Sequence, residues 1–387
     1  MTPEPHTAAD ARRLLVTSVR DWVERKVMPV ATELEHTDTY PADLVEDMKG
    51  MGLFGAVIDP RWGGAGISIE DYAAVVEEVA RGWMSLAGIF NSHLIETYML
   101  EQFGTEEQQE RLLPGLTSGR IRGALALTEP GAGSDVQAIQ TWAQRDGDDY
   151  VVNGQKQFIT NGRQAHAIAV LVRTDRGADP PHRGMSFLIA EKDAPGFSVG
   201  RDFDKLGYKG VETTELFFEG ARVPATSLIG GVEGRGFKQA MAGLEIGRVN
   251  VASRGVGLAR AALEASLSYA RERETFGRPI AEHQTIQNKL AEMSTRLEAA
   301  RLLTREAARR KDAGERIDLI GGQAKLFATE TAQYCAEEAL RIHGGIGYMK
   351  DLPVERFYRD APLLTIGEGT NEIQRLVIAR RLLDRVS

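Results

Sequence analysis

The chain of 387 residues contains a single cysteine, Cys335. No internal disulfide can form, which suits a reducing compartment. Cys335 falls in a helical pattern and reads as a small core residue. Nowhere do eighteen apolar residues follow one another, so no segment is expected to span a membrane. The opening MTPEPHTAADARRLLVTSVR has acids early and no apolar stretch long enough for a signal peptide. A cytoplasmic protein is expected, or a matrix protein that has shed a presequence. Basic excess is also missing: 47 Lys and Arg against 55 Asp and Glu give a net charge of −8. Nucleic acid is therefore disfavoured as a partner, because it needs a basic face. A local anion site built from a few arginines remains open. The spacing G-x-G-x-x-G after a strand is absent, so the dinucleotide fingerprint is not met. There is no internal repeat and no low-complexity linker. Nothing in the sequence points to a metal.

What is present is ordinary for a globular protein, with 42% hydrophobic and 26% charged residues. The length allows two or three domains. Residues 1–120 read as an N-terminal helical domain. ADLVEDMKGMGLFG and SIEDYAAVVEEVARG show three-and-four spacing, and Thr105 caps a helix that Pro114 and Gly119 should end. Residues 121–234 read as a middle β domain. There Asn153-Gly154 sits between two β-rich runs and predicts a two-residue hairpin. Four further strands are expected in AIAVLVR, GMSFLIAE, GFSVGRDF and TTELFFEGARVP. Residues 235–387 read as a C-terminal helical bundle. Its seam runs through Ile286, Leu290, Met293, Leu297 and Ala300. The fold class is thus α+β: a helical domain, a β-barrel-like domain and a four-helix bundle.

Five stretches can carry chemistry. In IGEGTNEIQR, Glu368 stands between Gly367 and Gly369. Taken alone this is a turn tip before a helix, or a carboxylate presented to a substrate. ALTEPGAGSD offers backbone N–H groups at Gly131 and Gly133 and hydroxyls at Thr128 and Ser134, fit for a ring edge or a phosphate. QFITNG ends a strand, and Phe158 there can lie along a flat cofactor while Thr160 donates a hydrogen bond. RERETFGRPIAEHQ joins two helices and holds Arg273, Phe276 and Gln284. RIHGGIGY reads alone as a helix C-cap.

The order and spacing of these five stretches resemble the acyl-CoA dehydrogenase family across about residues 10–385. The resemblance implies FAD as cofactor and oxidation of an acyl-CoA thioester to the trans-2-enoyl-CoA. It also implies an electron-transfer flavoprotein as acceptor and a homotetramer. The family's flavin loop matches Leu125 to Ser134, with Leu125, Leu127, Thr128, Gly133 and Ser134 as contacts. A second flavin segment matches Phe158, Ile159 and Thr160. Arg273 and Gln284 match residues that reach FAD across a subunit interface, and with Phe276 they could hold its phosphate and adenine. Arg341, Gly344 and Gly345 match a Gly-rich flavin segment, and Thr370 and Glu372 match the segment after the base. Ser134, Glu245, Arg248 and Gly369 match substrate-contacting positions. The family's catalytic base falls on Glu368, which would take the α-proton while the β-hydrogen leaves as hydride to the flavin. The resemblance puts the thioester carbonyl on the Glu368 backbone N–H and a ribityl hydroxyl.

Three departures from the family's pattern bear on this expectation. Gly367 stands where an aromatic often lines the acyl pocket, which points to a branched or bulky acyl group. Some members carry the base just before the conserved Arg, and here that position is Gly247, so Glu368 keeps the role. Arg341 replaces the usual Gln, which is plausible beside a pyrophosphate. Neighbouring readings are a dehydrogenase of a carrier-protein-bound acyl group and an acyl-CoA oxidase. A nucleic-acid-binding flavoprotein is disfavoured by the net charge.

Overall fold

A computed structural model describes residues 8–384, with side chains from residue 12 onward. The N-terminal part opens with α1 (Ala8–Trp22), which passes through a π-helical turn at Val23–Val27 into α2 (Met28–His36). Next come α3 (Ala42–Gly50), α4 (Ile69–Gly82), α5 (Met84–Phe103) and α6 (Glu106–Thr117). Local chemistry starts these helices where they start. Ser68 accepts from the Asp71 N–H ahead of α4, with Glu70 and Asp71 in its first turn. Thr105 and Gln108 form a reciprocal capping box at α6. Pro114 does not end α6, contrary to expectation, but lies inside its last turns. Only one backbone bond is lost there, and buried Leu112, Leu113 and Leu116 hold the turn in place. Gly119, at φ +70°, follows as the true stop.

The middle part holds β1 (Gly123–Ala126), β2 (Trp142–Asp146), β3 (Asp149–Thr160) and β4 (Ala167–Arg173), then β5 (Met185–Glu191), β6 (Phe197–Asp202) and β7 (Thr213–Pro224). They form one sheet in the order β1-β4-β2-β3-β7-β6, with β5 paired to β4. β4 and β5 are apolar without alternation because both their faces are covered. Ile168, Val170, Val172 and Leu188 face one core, shared with β3 and β7. Ala169, Leu171, Phe187 and Ile189 face another, shared with α5 and α6. The hairpin expected at Asn153-Gly154 is not there. β3 runs unbroken through both residues, and the turn falls earlier, between Asp146 and Asp149. Asn153-Gly154 instead marks a shift of register against β7. A Cβ on Gly154 would lie 2.5 Å from Thr141 Oγ1, so the glycine serves the close approach of the residue that leads into β2.

The C-terminal part is built on α7 (Gly236–Glu272), followed by a small hairpin of β8 (Glu274–Thr275) and β9 (Arg278–Pro279). Then follow α8 (Gln284–Asp312), α9 (Asp318–His343), α10 (Val354–Ile366) and α11 (Asn371–Leu383). Met293, Leu297 and Ala300 are buried along the expected seam, with Ile286 and Leu290 packed against its edge. Cys335 is fully buried in the same core, where burial pushes its thiol up to about 12. α7, α8, α9 and α10 make the bundle, and α11 lies on α9 as a fifth helix. One continuous core joins Tyr72, Val76 and Val79 of α4 to Val249 and Val256 of α7. α7 therefore ties the first and last parts of the chain together. No helix is long and apolar enough to cross a membrane among the described residues.

Candidate active site

The link from α10 to α11 explains why two glycines flank Glu368. Gly367 has an ordinary extended backbone, φ −66° and ψ 152°. Glu368 and Gly369 then take left-handed angles in succession, φ +54° and +86°. The second needs glycine, and the first places a non-glycine residue where L side chains are strained. Thr370 closes the turn by capping α11 through the Ile373 N–H. The two glycines thus have different causes. Gly369 is required by the backbone, whereas Gly367 leaves space: only Leu363 O, at 3.4 Å, lies within 4 Å of a Cβ built there.

Lys325 of α9 holds this link from behind. Its fully buried ammonium donates to Gly369 O at 2.9 Å, Asn371 Oδ1 at 2.9 Å and Thr365 O at 3.4 Å. Burial lowers its pKa to about 8. Asn371 is in turn pinned by donating to Thr329 Oγ1 at 3.0 Å.

The Glu368 carboxylate points inward, onto α5 and α7. Asn91 Nδ2 donates to Oε1, and Arg254 Nη2 stands 3.6 Å from the same oxygen. Oε2 is buried and has no hydrogen-bond partner. It lies over Gly247, where a Cβ would come within 1.8 Å of it. Burial raises the carboxyl's pKa, and Arg254, Asn91, Lys325 and Arg248 oppose that rise. The arrangement is that of a proton acceptor: a carboxylate with one oxygen anchored and the other buried and unpartnered.

Arg248 is buried on α7, and its Nε has no partner. Burial presses its pKa downward. Glu245, expected to act with it, is held by Lys311 at 2.6 Å. Arg248 thus carries charge near Glu368 without a committed partner of its own.

The sheet side of the site is tied to α5. Asn161 Nδ2 donates to Ile89 O at 2.7 Å, two residues before Asn91. His93 Nδ1 accepts from the Gly123 N–H at 2.8 Å, where β1 starts toward the Leu125–Ser134 loop. Glu129 and Ala132 exchange backbone hydrogen bonds at 2.9 and 3.1 Å, closing a tight turn with Pro130-Gly131 at its tip. Glu129 is anchored by Lys156, buried and 2.8 Å away, and it also accepts from the N–H groups of Gln140 and Thr141. Burial lowers the Lys156 pKa to about 8.

These residues fit a flat ring system. A Cβ on Gly131 or Gly133 would meet nothing within 4 Å, so the loop edge is open. Phe158 is 56% exposed despite its size and has a strained φ of +60°. Its ring leans on Phe203, 4.8 Å between centroids. An exposed aromatic in strained backbone is costly on both counts, and a ring laid against it would remove the exposure. Thr160 is half-buried beside it, and Ser134 is exposed. Leu125 and Leu127 are partly buried against the core. Ile159 turns its side chain into the core and can offer only backbone.

The remaining expected residues lie elsewhere. Arg273 caps the far end of α7, about 39 Å along the axis from Gly247 at 1.5 Å per residue. Phe276 stands at the tip of the β8–β9 hairpin, 96% exposed. Gln284 opens α8, and Arg341, Gly344 and Gly345 are exposed at the end of α9. Tyr269 and His343 stack at 4.3 Å, which places the ends of α7 and α9 side by side. One chain therefore does not bring this second group to Glu368. Of the two residues after the base, Thr370 spends its hydroxyl on the α11 cap and Glu372 is exposed.

Asn91, Arg254, Lys325 and Lys156 lie outside the five sequence stretches and are brought to the site by the fold. Asn91 did leave a signal: its neighbours one helical turn away, Ala87, Gly88, Leu94 and Ile95, are all apolar. Arg254 left a weaker one, lying two helical turns after Gly247.

Family models described as the acyl-CoA dehydrogenase N-terminal, middle and C-terminal domains match residues 9–120, 124–221 and 234–383. An acyl-CoA dehydrogenase of Bacillus subtilis is 43% identical over 94% of this chain and 96% of its own length. The mitochondrial short-chain specific acyl-CoA dehydrogenase of Homo sapiens is 40% identical, covering 98% of this chain and 90% of its own. The solved butyryl-CoA dehydrogenase from Megasphaera elsdenii superposes with a TM-score of 0.94 at 37% identity, over 97% of this chain and 99% of that one.

Proposed function

The chain belongs to the acyl-CoA dehydrogenase family, and from that premise we propose that Glu368 is the base that takes the α-proton of a bound acyl-CoA. The enzyme is an oxidoreductase acting on CH–CH donors. One observation carries the assignment: Glu368 Oε2 is buried, unpartnered and held over a glycine. Asn91 holds the other oxygen, with Arg254 beside it. A thioester entering beside it would displace water and push the carboxyl's pKa further up, strengthening the base.

FAD, the family's cofactor, would be held on this chain by Leu125, Leu127, Thr128, Gly133 and Ser134, by Phe158 and Thr160, and by the backbone of Ile159. When bound it supplies an acceptor for the β-hydride. Arg273, Phe276, Gln284, Arg341, Gly344 and Gly345 would complete the cofactor site from a second copy of the chain, in a homotetramer. The distance along α7 supports that reading, since these residues are too far from Glu368 to serve their own site. Arg248 would meet the substrate near the base, with Ser134 and Gly369 beside it. The open space at Gly367 favours a branched or bulky acyl group. An electron-transfer flavoprotein would reoxidise the enzyme.

An anaerobic titration of the flavin-loaded enzyme tests the assignment. Wild type should bleach with a suitable acyl-CoA. Glu368→Gln should bind the same thioester and not bleach. Bleaching at the wild-type rate by that variant would move the base elsewhere. Faster turnover of isobutyryl-CoA or isovaleryl-CoA than of butyryl-CoA supports the branched reading, and the reverse order removes it.

A further inference from the structure

The face of α7 that Glu368 lies on does not end at Gly247. Seven residues on, two turns along the same stripe, stands Arg254. It is 6% exposed, and its Nε has no hydrogen-bond partner. Glu368, at 3.6 Å, is the one carboxylate in ion-pair range of it among the described residues. Its guanidinium carbon stands 5.9 Å from the centre of the Tyr208 ring. Tyr208 is itself wedged onto α5, where a Cβ on Gly88 would fall 1.6 Å from its hydroxyl. Three buried cations, Arg248, Arg254 and Lys325, thus act on a single carboxylate. Lys325 is satisfied by three oxygens of the loop. Arg254 is not.

An apolar acyl chain suits Arg254 poorly. It would leave a buried guanidinium facing hydrocarbon, and it would leave Glu368 paired to a cation that weakens it as a base. Both difficulties vanish if the far end of the substrate carries its own anion. A carboxylate accepts from the guanidinium fork through two hydrogen bonds. It would also compete with Glu368 for Arg254 and so release the base when the correct substrate is present.

Resting on Glu368 as the base, we propose that Arg254 recognises a carboxylate at the far end of the acyl group, making the substrate a short dicarboxylic acyl-CoA, straight or branched. The reaction is unchanged: the α-proton goes to Glu368 and the β-hydride to FAD, leaving an enoyl-CoA whose terminal carboxylate remains on Arg254. Gly367 and Arg254 then act on different parts of the substrate, one accommodating bulk beside the base and the other reading charge beyond it.

The test compares kcat/KM for glutaryl-CoA and methylsuccinyl-CoA with that for butyryl-CoA and isobutyryl-CoA, using flavin-loaded enzyme. Wild type should favour the dicarboxylic thioesters by at least about 100-fold, as expected for a site whose buried donors need an anionic partner. In Arg254→Met and Arg254→Gln that ratio should collapse, with the neutral thioesters overtaking. A merely structural role for Arg254 would lower all four alike. Wild type preferring butyryl-CoA overturns the proposal and leaves the dehydrogenase reading standing. Equal losses for both classes in the variants also overturn it. If none of the four bleaches the flavin, both readings fall. The wild-type comparison stands even if a variant does not fold.

Discussion

Replacing Gly247 by alanine tests the site at its tightest point. The new Cβ would lie 1.8 Å from Glu368 Oε2 and 2.9 Å from its Cδ, with Ile95 Cδ1 at 3.0 Å on the other side. Ile95 can yield by rotation, but the carboxylate must retreat by about 1.5 Å to regain van der Waals contact. A displacement of about 1 Å at a reacting centre commonly costs about 100-fold in rate, or about 2.7 kcal/mol in the barrier. Folding should suffer little. Alanine is favoured over glycine within a helix by roughly 0.5–1 kcal/mol, and this offsets part of the weakened contacts to Asn91 and Arg254. The expected variant therefore keeps its flavin and melts close to wild type, while the anaerobic bleaching rate drops by about 100-fold or more. The assay is stopped-flow bleaching at saturating substrate, with a melt and a flavin spectrum on the same sample. A rate within threefold of wild type, with the melt unchanged, would show that the carboxylate is not held where the reasoning places it.

Other sites give separate checks. The folded carboxyl of Glu368 is raised above 4.5, and only its ionised form accepts a proton, so the rate should climb as pH passes through that raised value. Arg254→Met removes a cation that favours ionisation, leaving Lys325 and Arg248, so this acid limb should move to higher pH; a shift to lower pH would contradict the pairing. Lys156→Met leaves Glu129 buried without its counter-ion and should cost about 3–5 kcal/mol of stability, seen as a lower melting temperature and easier loss of flavin. Lys325→Met removes one donor from each of three acceptors, of which Gly369 O and Asn371 Oδ1 keep a second from Gln374 and Thr329; melting temperature and kcat should both fall, with the larger effect on kcat, and an unchanged kcat would deny Lys325 its hold on the base. Phe276→Asp should weaken assembly, measured by light scattering, and flavin content should fall in step. A variant of unchanged mass and full flavin would take Phe276 out of the interface.

Much of the architecture could be read from the sequence because it rests on short-range rules. The α6 cap, the apolar strands and the α8 seam each follow from neighbouring residues. The failures came where the same residue type serves two ends. Asn153-Gly154 has the chemistry of a turn, yet it pairs with β7 and Thr141 approaches so closely that the glycine is used inside a strand. Pro114 has the chemistry of a stop, yet three buried leucines outweigh one missing bond. Glu368 was legible through its glycines and through the family resemblance. Its supports were not, because Asn91, Arg254 and Lys325 come from three helices that are far apart in the chain. No local pattern records that they converge. Glu245 was legible as charge but not as the partner of Lys311, for the same reason.

The length of α7 has a genetic consequence. It keeps the base at one place and Arg273 with Phe276 at the other, about 39 Å away. If each site draws these groups from two copies, lesions at the two ends damage different halves of every site. A chain crippled at Glu368 still lends an intact far end, and a chain crippled at Phe276 still lends an intact base. Two inactive alleles expressed together would then complement one another, and either one alone would not.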